Sequence, residues 1–351
     1  MTDTTGILDE ALTRLHGFGP ERQGRLTNHA PMAVEALAAR GQAGAVHRWL
    51  DLYAPKLEEF PASAAPLTGV GADADAERRA ALGDPRRAGD WIAYFLREVE
   101  ARPWRDVLAE WWPVLLPGMY GGSTHPVIRV GHAVRALAGG EATAPRVAEL
   151  AHGLGYWAAR HRPVTGLATV PGAESAAGAE SAAGALEAVV PIEGPAEGGF
   201  PARLDRVRAL PAWAASVDGP EEARRRLTEL VRAATHRYAT HGHGEEIMLV
   251  HAATAPNAVL RALAVLPREL WVPSLHAAWT ASAAVTAMYA PSSPVAYEVR
   301  GAFSAEEVVE LALAHGDEHV IKLADTALDV GDEGALAAAV RGVELNEPLG
   351  G

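Results

Sequence analysis

Apolar residues recur three and four positions apart through most of this chain, and that spacing points to helices rather than strands. Ile7 to Leu15, His29 to Ala39, Ala45 to Tyr53, Trp91 to Val99 and Trp104 to Leu116 keep the period, each bounded by Gly or Pro. Thr143 to Arg160 is an Ala-rich helix opened by Thr-Ala-Pro. Glu221 to Tyr238, Glu245 to Leu266, Leu270 to Met288, Ala305 to His315 and Glu318 to Leu328 continue the pattern. Alternation of the β kind is scarce, with Val295 to Val299 the best short candidate. The expected fold is all-α.

Between Pro163 and Pro201 the character changes. Gly-Ala-Glu-Ser-Ala-Ala occurs twice in tandem, at Gly172 and Gly178, and a Pro/Gly-rich stretch runs from Pro191 to Pro201. Small residues bury little, so 163–201 reads as a long, flexible Ala/Gly/Ser-rich loop between two helical halves. The expectation is a single large helical domain over residues 1–351.

Composition narrows the function. With 31 Lys+Arg against 44 Asp+Glu, the net charge is −13, which repels phosphate backbones and anionic lipid. Nucleic acid and membrane surfaces are therefore not expected partners. There is no cysteine, which excludes disulfide scaffolds, thiolate metal sites and Cys nucleophiles together. Met1 to Glu10 is polar and acidic, unlike a secretory signal, and no apolar run approaches the ~20 residues of a membrane span. A soluble, cytoplasmic protein is expected. Chains of this size and kind often pair as homodimers, although no apolar stripe here is long enough to argue for one.

Of the 31 basic residues only Lys56 and Lys322 are lysine. Where a positive charge suffices, Arg serves; an amine able to lose its proton requires Lys. Lys56 sits in the polar stretch Tyr53-Ala54-Pro55-Lys56-Leu57-Glu58 and reads as a surface residue. Lys322 ends His315-Gly316-Asp317-Glu318-His319-Val320-Ile321-Lys322. On one helix His315, His319 and Lys322 would stand at i, i+4 and i+7, presenting two imidazoles and an amine on one face.

Fourteen histidines are a high load for such a chain. His125 and His132 are two turns apart, His29 follows Asn28, His251 opens Val250-His251-Ala252 after its first residue, and His276 lies in an apolar helix. His16, His47, His152, His161 and His236 read as ordinary hydrogen-bonded residues, and His241 and His243 as loop residues with a ligand-like H-x-H spacing. His315 to His319 matches H-x-x-E-H, the inverted zinc-peptidase signature, with Glu318 as base, although Gly316 weakens that helix. Gly153-Leu154-Gly155-Tyr156-Trp157-Ala158 fits G-x-G-x-x-A but follows no strand, which argues against a dinucleotide site.

These residues resemble the questin oxidase-like proteins. The likeness runs over nearly the whole chain: Asn28-His29-Ala30-Pro31-Met32, Trp104 to Arg135, Val250 to Thr254, and most specifically Asp317 to Lys322. It implies a helical oxygenase of secondary metabolism that uses O₂ to open a ring of an anthraquinone-like aromatic polyketide. It also implies non-haem iron, with His29, His125, His251 and His319 as imidazole ligands and Lys322 as a CO₂-derived carbamate. His319 and Lys322 would stand at the centre of catalysis. His132, His315, Arg129 and His276 are expected around the pocket, with Asp317 and Glu318 orienting imidazoles. Tyr156, Trp157, Trp279, Met288 and Tyr289 are candidates for a substrate wall, or simply core.

The chemistry is coherent by itself. Lysine carbamate forms from a neutral amine, so Arg could not replace Lys322. Four imidazoles and one hard oxygen ligand suit Fe(II) or another first-row dication, and leave one octahedral position open. Direct dioxygenation and a Baeyer–Villiger-type insertion drawing on a reductant such as NADPH both remain open. So do two other classes: a zinc hydrolase using the same His/Lys set, and a metal-free binding protein for aromatic ligands.

Overall fold

A computed structural model describes residues 6–24, 26–69, 71–170, 181–193, 198–299 and 301–350. The fold is all-α. The chain gathers into two compact units, residues 1–163 with 264–267 and residues 164–263 with 268–351. The change of unit falls at Pro163, where the composition shifts.

Unit 1 contains α1 (Ile7–Leu15), a two-residue hairpin of β1 (Glu21–Arg22) and β2 (Leu26–Thr27), then α2 (Ala30–Ala39), α3 (Val46–Tyr53), α4 (Ala72–Ala81), α5 (Ala88–Ala101), α6 (Trp104–Leu115), α7 (His125–Ala138) and α8 (Ala144–Ala159). Its core is aromatic: Trp91, Phe95, Trp112 and Trp157 are fully buried, and Trp157 meets Trp112 edge to face at 5.3 Å. The Gly-x-Gly of α8 has a packing role. A Cβ on Gly155 would stand 2.7 Å from Ile92 of α5, and one on Gly153 would stand 3.0 Å from Val130 of α7. Hydrogen in place of a side chain lets α8 press against both neighbours.

Unit 2 begins with β3 (Ala168–Val170), followed by α9 (Ala182–Glu187), α10 (Phe200–Leu204), β4 (Ala209–Pro211), α11 (Pro220–His241), α12 (His251–Leu263), α13 (Trp271–Tyr289), α14 (Ala305–His315), α15 (Glu318–Val330) and α16 (Glu333–Leu345). β3 pairs with β4 in parallel, Ala168 opposite Ala209. The long α11 packs on α12, α13 and α16. Val308, Ala312, Val320, Ala324, Ala335 and Ala339 close the α14–α15–α16 corner. α13 is apolar nearly all round, and Ser282 Oγ donates to Ala252 O at 2.7 Å, pinning one of its faces to α12.

Several expectations change. Val295 to Val299 is not a strand, although Val295 N–H donates to Thr240 O; the short strands lie elsewhere. Part of the expected loop over 163–201 is ordered: 168–170 is a strand, and Ala182–Glu187 is a helix whose Ala182, Ala185 and Leu186 are buried against α11. Ser181 caps that helix, its hydroxyl accepting from Gly184 N–H at 3.1 Å. Most of the tandem hexapeptide, residues 171–180, lies outside the described residues. His315, His319 and Lys322 do not share one helix. α14 ends at His315, Gly316 turns the chain with φ of 77°, and Asp317 caps α15. The single motif helix required by an inverted zinc-peptidase site is therefore broken. No helix among the described residues is long and apolar enough to cross a membrane.

Candidate metal centre

In unit 1 the sequence-predicted His29 and His125 meet. His29 precedes α2 and His125 opens α7; both are buried. Their rings stand edge to face at 4.4 Å, with the two Nε2 atoms 2.7 Å apart. A backbone detail sets the tautomer. Gly122, Ser123 and Thr124 adopt φ of 56°, 55° and 66°, a left-handed turn that aims the Gly122 carbonyl at His125 Nδ1, 2.7 Å away. A carbonyl only accepts, so the proton sits on Nδ1 and the lone pair on Nε2, facing His29. Two non-glycine residues in this region carry backbone strain of order 1–3 kcal/mol each.

Two turns further along, α7 is tied to α2 again. His132 Nδ1 donates to Glu35 at 2.6 Å, and Arg135 adds two bonds to the same carboxylate, at 2.9 and 2.5 Å. Burial alone would raise the Glu35 carboxyl, but the charges and hydrogen bonds of Arg135 and His132 hold it below its usual range. The two helices run side by side in register, His29 with His125 and Glu35 with His132. Sequence reasoning missed Glu35; its signal is the one charge in the apolar decapeptide Ala30–Ala39.

Arg129 is committed elsewhere. It forms a buried bidentate pair with Glu149 of α8, 2.6 and 2.9 Å, and Glu149 also accepts from His16 at 3.2 Å. Burial opposes ionisation of Glu149, yet Arg129 and His16 hold its carboxyl far below the usual range.

In unit 2, His251 opens α12 and His319 is the second residue of α15. Both are buried, with ring centres 5.7 Å apart and edge to face. Lys322 lies one turn along α15 from His319 and is fully buried, whereas Lys56 is half-buried over the Tyr53 ring. Asp317 Oδ1 accepts the His319 and Val320 N–H groups at 2.9 and 3.1 Å and fixes the start of α15. Burial would raise the Asp317 carboxyl; its bond to His319, the His319 charge and the backbone N–H groups bring it down to about 2. His319 is pushed down, first by burial and then by the charge of Lys322 beside it, which favours the neutral, ligating ring. Asp317, the buried Glu318 and His319 bring potential ligand atoms within 4.8 Å of one another.

The remaining candidates stand apart. His315 Nε2 donates to Asn346 O at 3.0 Å and Nδ1 accepts from Asp317 N–H at 3.4 Å, so its ring ties the α14–α15 corner to the C-terminal segment. His276 donates to Ala214 O at 2.9 Å. Of the H-x-H pair, His241 is buried and His243 exposed. Of the aromatic candidates, Tyr156 hydroxyl bonds Thr27 at 2.8 Å and Tyr289 stacks on Phe200, both in the core, while Trp279 donates to Pro211 O at 2.9 Å.

Among curated proteins nothing matches the chain. A family profile described as Questin oxidase-like matches residues 26–327, a span that includes the histidines and lysine of both units described above.

Proposed function

Because the chain belongs to the questin oxidase-like family, we propose that it is an O₂-using oxidoreductase that cleaves a ring of an anthraquinone-like aromatic polyketide. One non-haem iron would be held by His29, His125, His251, His319 and a carbamate on Lys322. The observation that carries this reading is the His29–His125 pair, two Nε2 atoms 2.7 Å apart with the His125 proton fixed on the opposite nitrogen. The donor set fits a first-row dication: neutral imidazoles, a His319 whose surroundings keep it unprotonated, and a buried lysine. Burial favours the neutral amine that reacts with CO₂. When bound, Fe(II) would supply the one-electron chemistry that lets O₂ react with an electron-rich ring.

The chain's own groups have separable duties. The Gly122 carbonyl orients His125 and keeps its proton off the ligating nitrogen. Asp317 holds the first turn of α15 and with it His319 and Lys322. Glu35 fixes His132 and Arg135, so α2 and α7 keep their register below the His29–His125 pair. With no cysteine in the chain, no thiol competes with the imidazoles for the metal or is open to oxidation beside it.

The test is protein purified without added metal. One iron per chain, O₂ uptake on a hydroxyanthraquinone, and a ¹³C carbamate signal after bicarbonate labelling are expected. Lys322→Ala should lose iron and activity, with partial rescue by a short carboxylic acid. Incorporation of one or two ¹⁸O atoms, with or without NADPH consumption, separates the insertion from the dioxygenation. Copurifying zinc with no O₂ uptake would replace this reading by the hydrolase.

A further inference from the structure

Unit 2 contains a second feature that the iron reading does not use. A cavity of about 270 Å³ lies between the β3–β4 ribbon and one face of α13, with Leu167, Leu210, Pro211, His276, Trp279 and Thr280 among its walls. It is separate from His251. The Ser282–Ala252 bond puts α12 on the Ser282 side of α13. At 3.6 residues per turn, His276 and Thr280 stand roughly 120° to 160° away round the helix. Among the described residues, none that lines it is Asp, Glu, Lys or Arg.

The wall has a definite chemical character. Trp279 is held in place by its Nε1–H bond to Pro211 O and backed by Trp213, with ring centres 5.1 Å apart. His276 Nε2 donates to the Ala214 carbonyl at 2.9 Å, so its proton is on Nε2 and Nδ1 is an acceptor. Thr280 Oγ1 donates to His276 O at 2.9 Å, and its oxygen keeps lone pairs to accept with. His276 and Thr280 therefore offer acceptors, and the Thr169 hydroxyl can accept as well as donate, all set among apolar and aromatic surface. An anion finds no cation there, and the chain's charge of −13 disfavours it further. The volume is just under the roughly 300–1,000 Å³ of small-molecule sites, room for one or two fused rings.

We propose that this cavity binds an uncharged, planar aromatic molecule that donates a hydroxyl hydrogen bond, independently of the metal centre. The ligand lies against the Trp279 side of the cavity and its hydroxyl is received by Thr280 Oγ1. No bond is made or broken.

Equilibrium dialysis of the full chain against 2-naphthol, naphthalene and 2-naphthalenesulfonate tests it. Saturable one-to-one binding of 2-naphthol is expected, with naphthalene about tenfold weaker, as one lost hydrogen bond predicts, and the sulfonate excluded. Thr280→Phe fills the space and should abolish binding; Thr280→Val keeps the shape, removes an acceptor and should weaken binding severalfold. If the Phe variant does not fold, the Val variant carries the test. His319→Ala should leave 2-naphthol affinity unchanged. Equal binding of the sulfonate, retention of full affinity in the folded Thr280 variants, or loss of binding in His319→Ala would each overturn the proposal, the last by placing the probe at the histidine centre.

Discussion

Two histidine pairs lie within unit 1, and they do opposite things with the same side chain. His29 and His125 stand edge to face with their nitrogens pointed at each other, while His16 and His152 stack at 4.4 Å with planes 22° apart. In the stacked pair the ring faces are used up in packing, and His16 turns a nitrogen to Glu149, itself locked to Arg129. The edge-on pair instead brings two nitrogens to within 2.7 Å of each other. Burial and residue type are shared; ring orientation separates a stabilising cluster from a candidate ligand set.

The sharpest break of this comparison is Glu149→Ala. It leaves Arg129 buried opposite no carboxylate, and should cost about 3–5 kcal/mol in a denaturant titration, while, on the iron reading proposed above, any variant protein that folds should still bind iron. Loss of iron at unchanged stability would make the stacked cluster part of the centre. His125→Ala should act the other way, with activity down 100-fold or more, equivalent to about 2.7 kcal/mol, iron lost, and stability changed far less than by Glu149→Ala.

Gly122→Ala tests the turn between the two behaviours. Its φ of 56° disfavours a Cβ, which would also stand 3.2 Å from Pro126. A loss of about 1–2 kcal/mol is expected, with weaker iron retention because the carbonyl that orients His125 moves. A thermal melt and metal analysis on one sample read both. The last effect is on pH dependence and vanishes at neutral pH. Burial first, then the charges of His16 and Arg129, pushes His152 from its ordinary 6.5 down to about 3. Above pH 6.5 both folded and unfolded chains carry a neutral ring. Below it the unfolded chain takes a proton that the folded one refuses, so stability falls until pH approaches 3. His152→Phe should flatten the curve between pH 6.5 and 4.5 by up to about 1.4 kcal/mol per pH unit; an unchanged slope would assign the loss to the carboxylates alone.

Much of the fold was legible because helix boundaries are local. Ile7–Leu15 and Ala305–His315 match the periodicity end to end. α7 was harder to delimit: it is buried from His125 through Val134, and an element covered on every side has no polar face to mark its period. α16 went unread for a related reason, its alanines giving little contrast between faces. The site was legible in residue type: a rare lysine, an excess of histidine, the Asp317–Lys322 run. Glu35 and Glu149 were not, since a lone carboxylate in a helix acquires meaning only from the cation packed against it.

The chain's pattern of apolar spacing and its composition determined an all-α protein without thiol chemistry, and its motifs determined the family, because helix formation and residue inventory are properties of neighbours in sequence. Only the tertiary structure decided that His315 braces a helix corner, that Arg129 belongs to Glu149, that His276 lines a separate cavity, and which nitrogen of His125 is protonated. Those outcomes depend on hydrogen bonds between groups 20, 31 and 62 residues apart, or on a left-handed turn whose conformation no periodicity encodes; direction and distance in space are what they require.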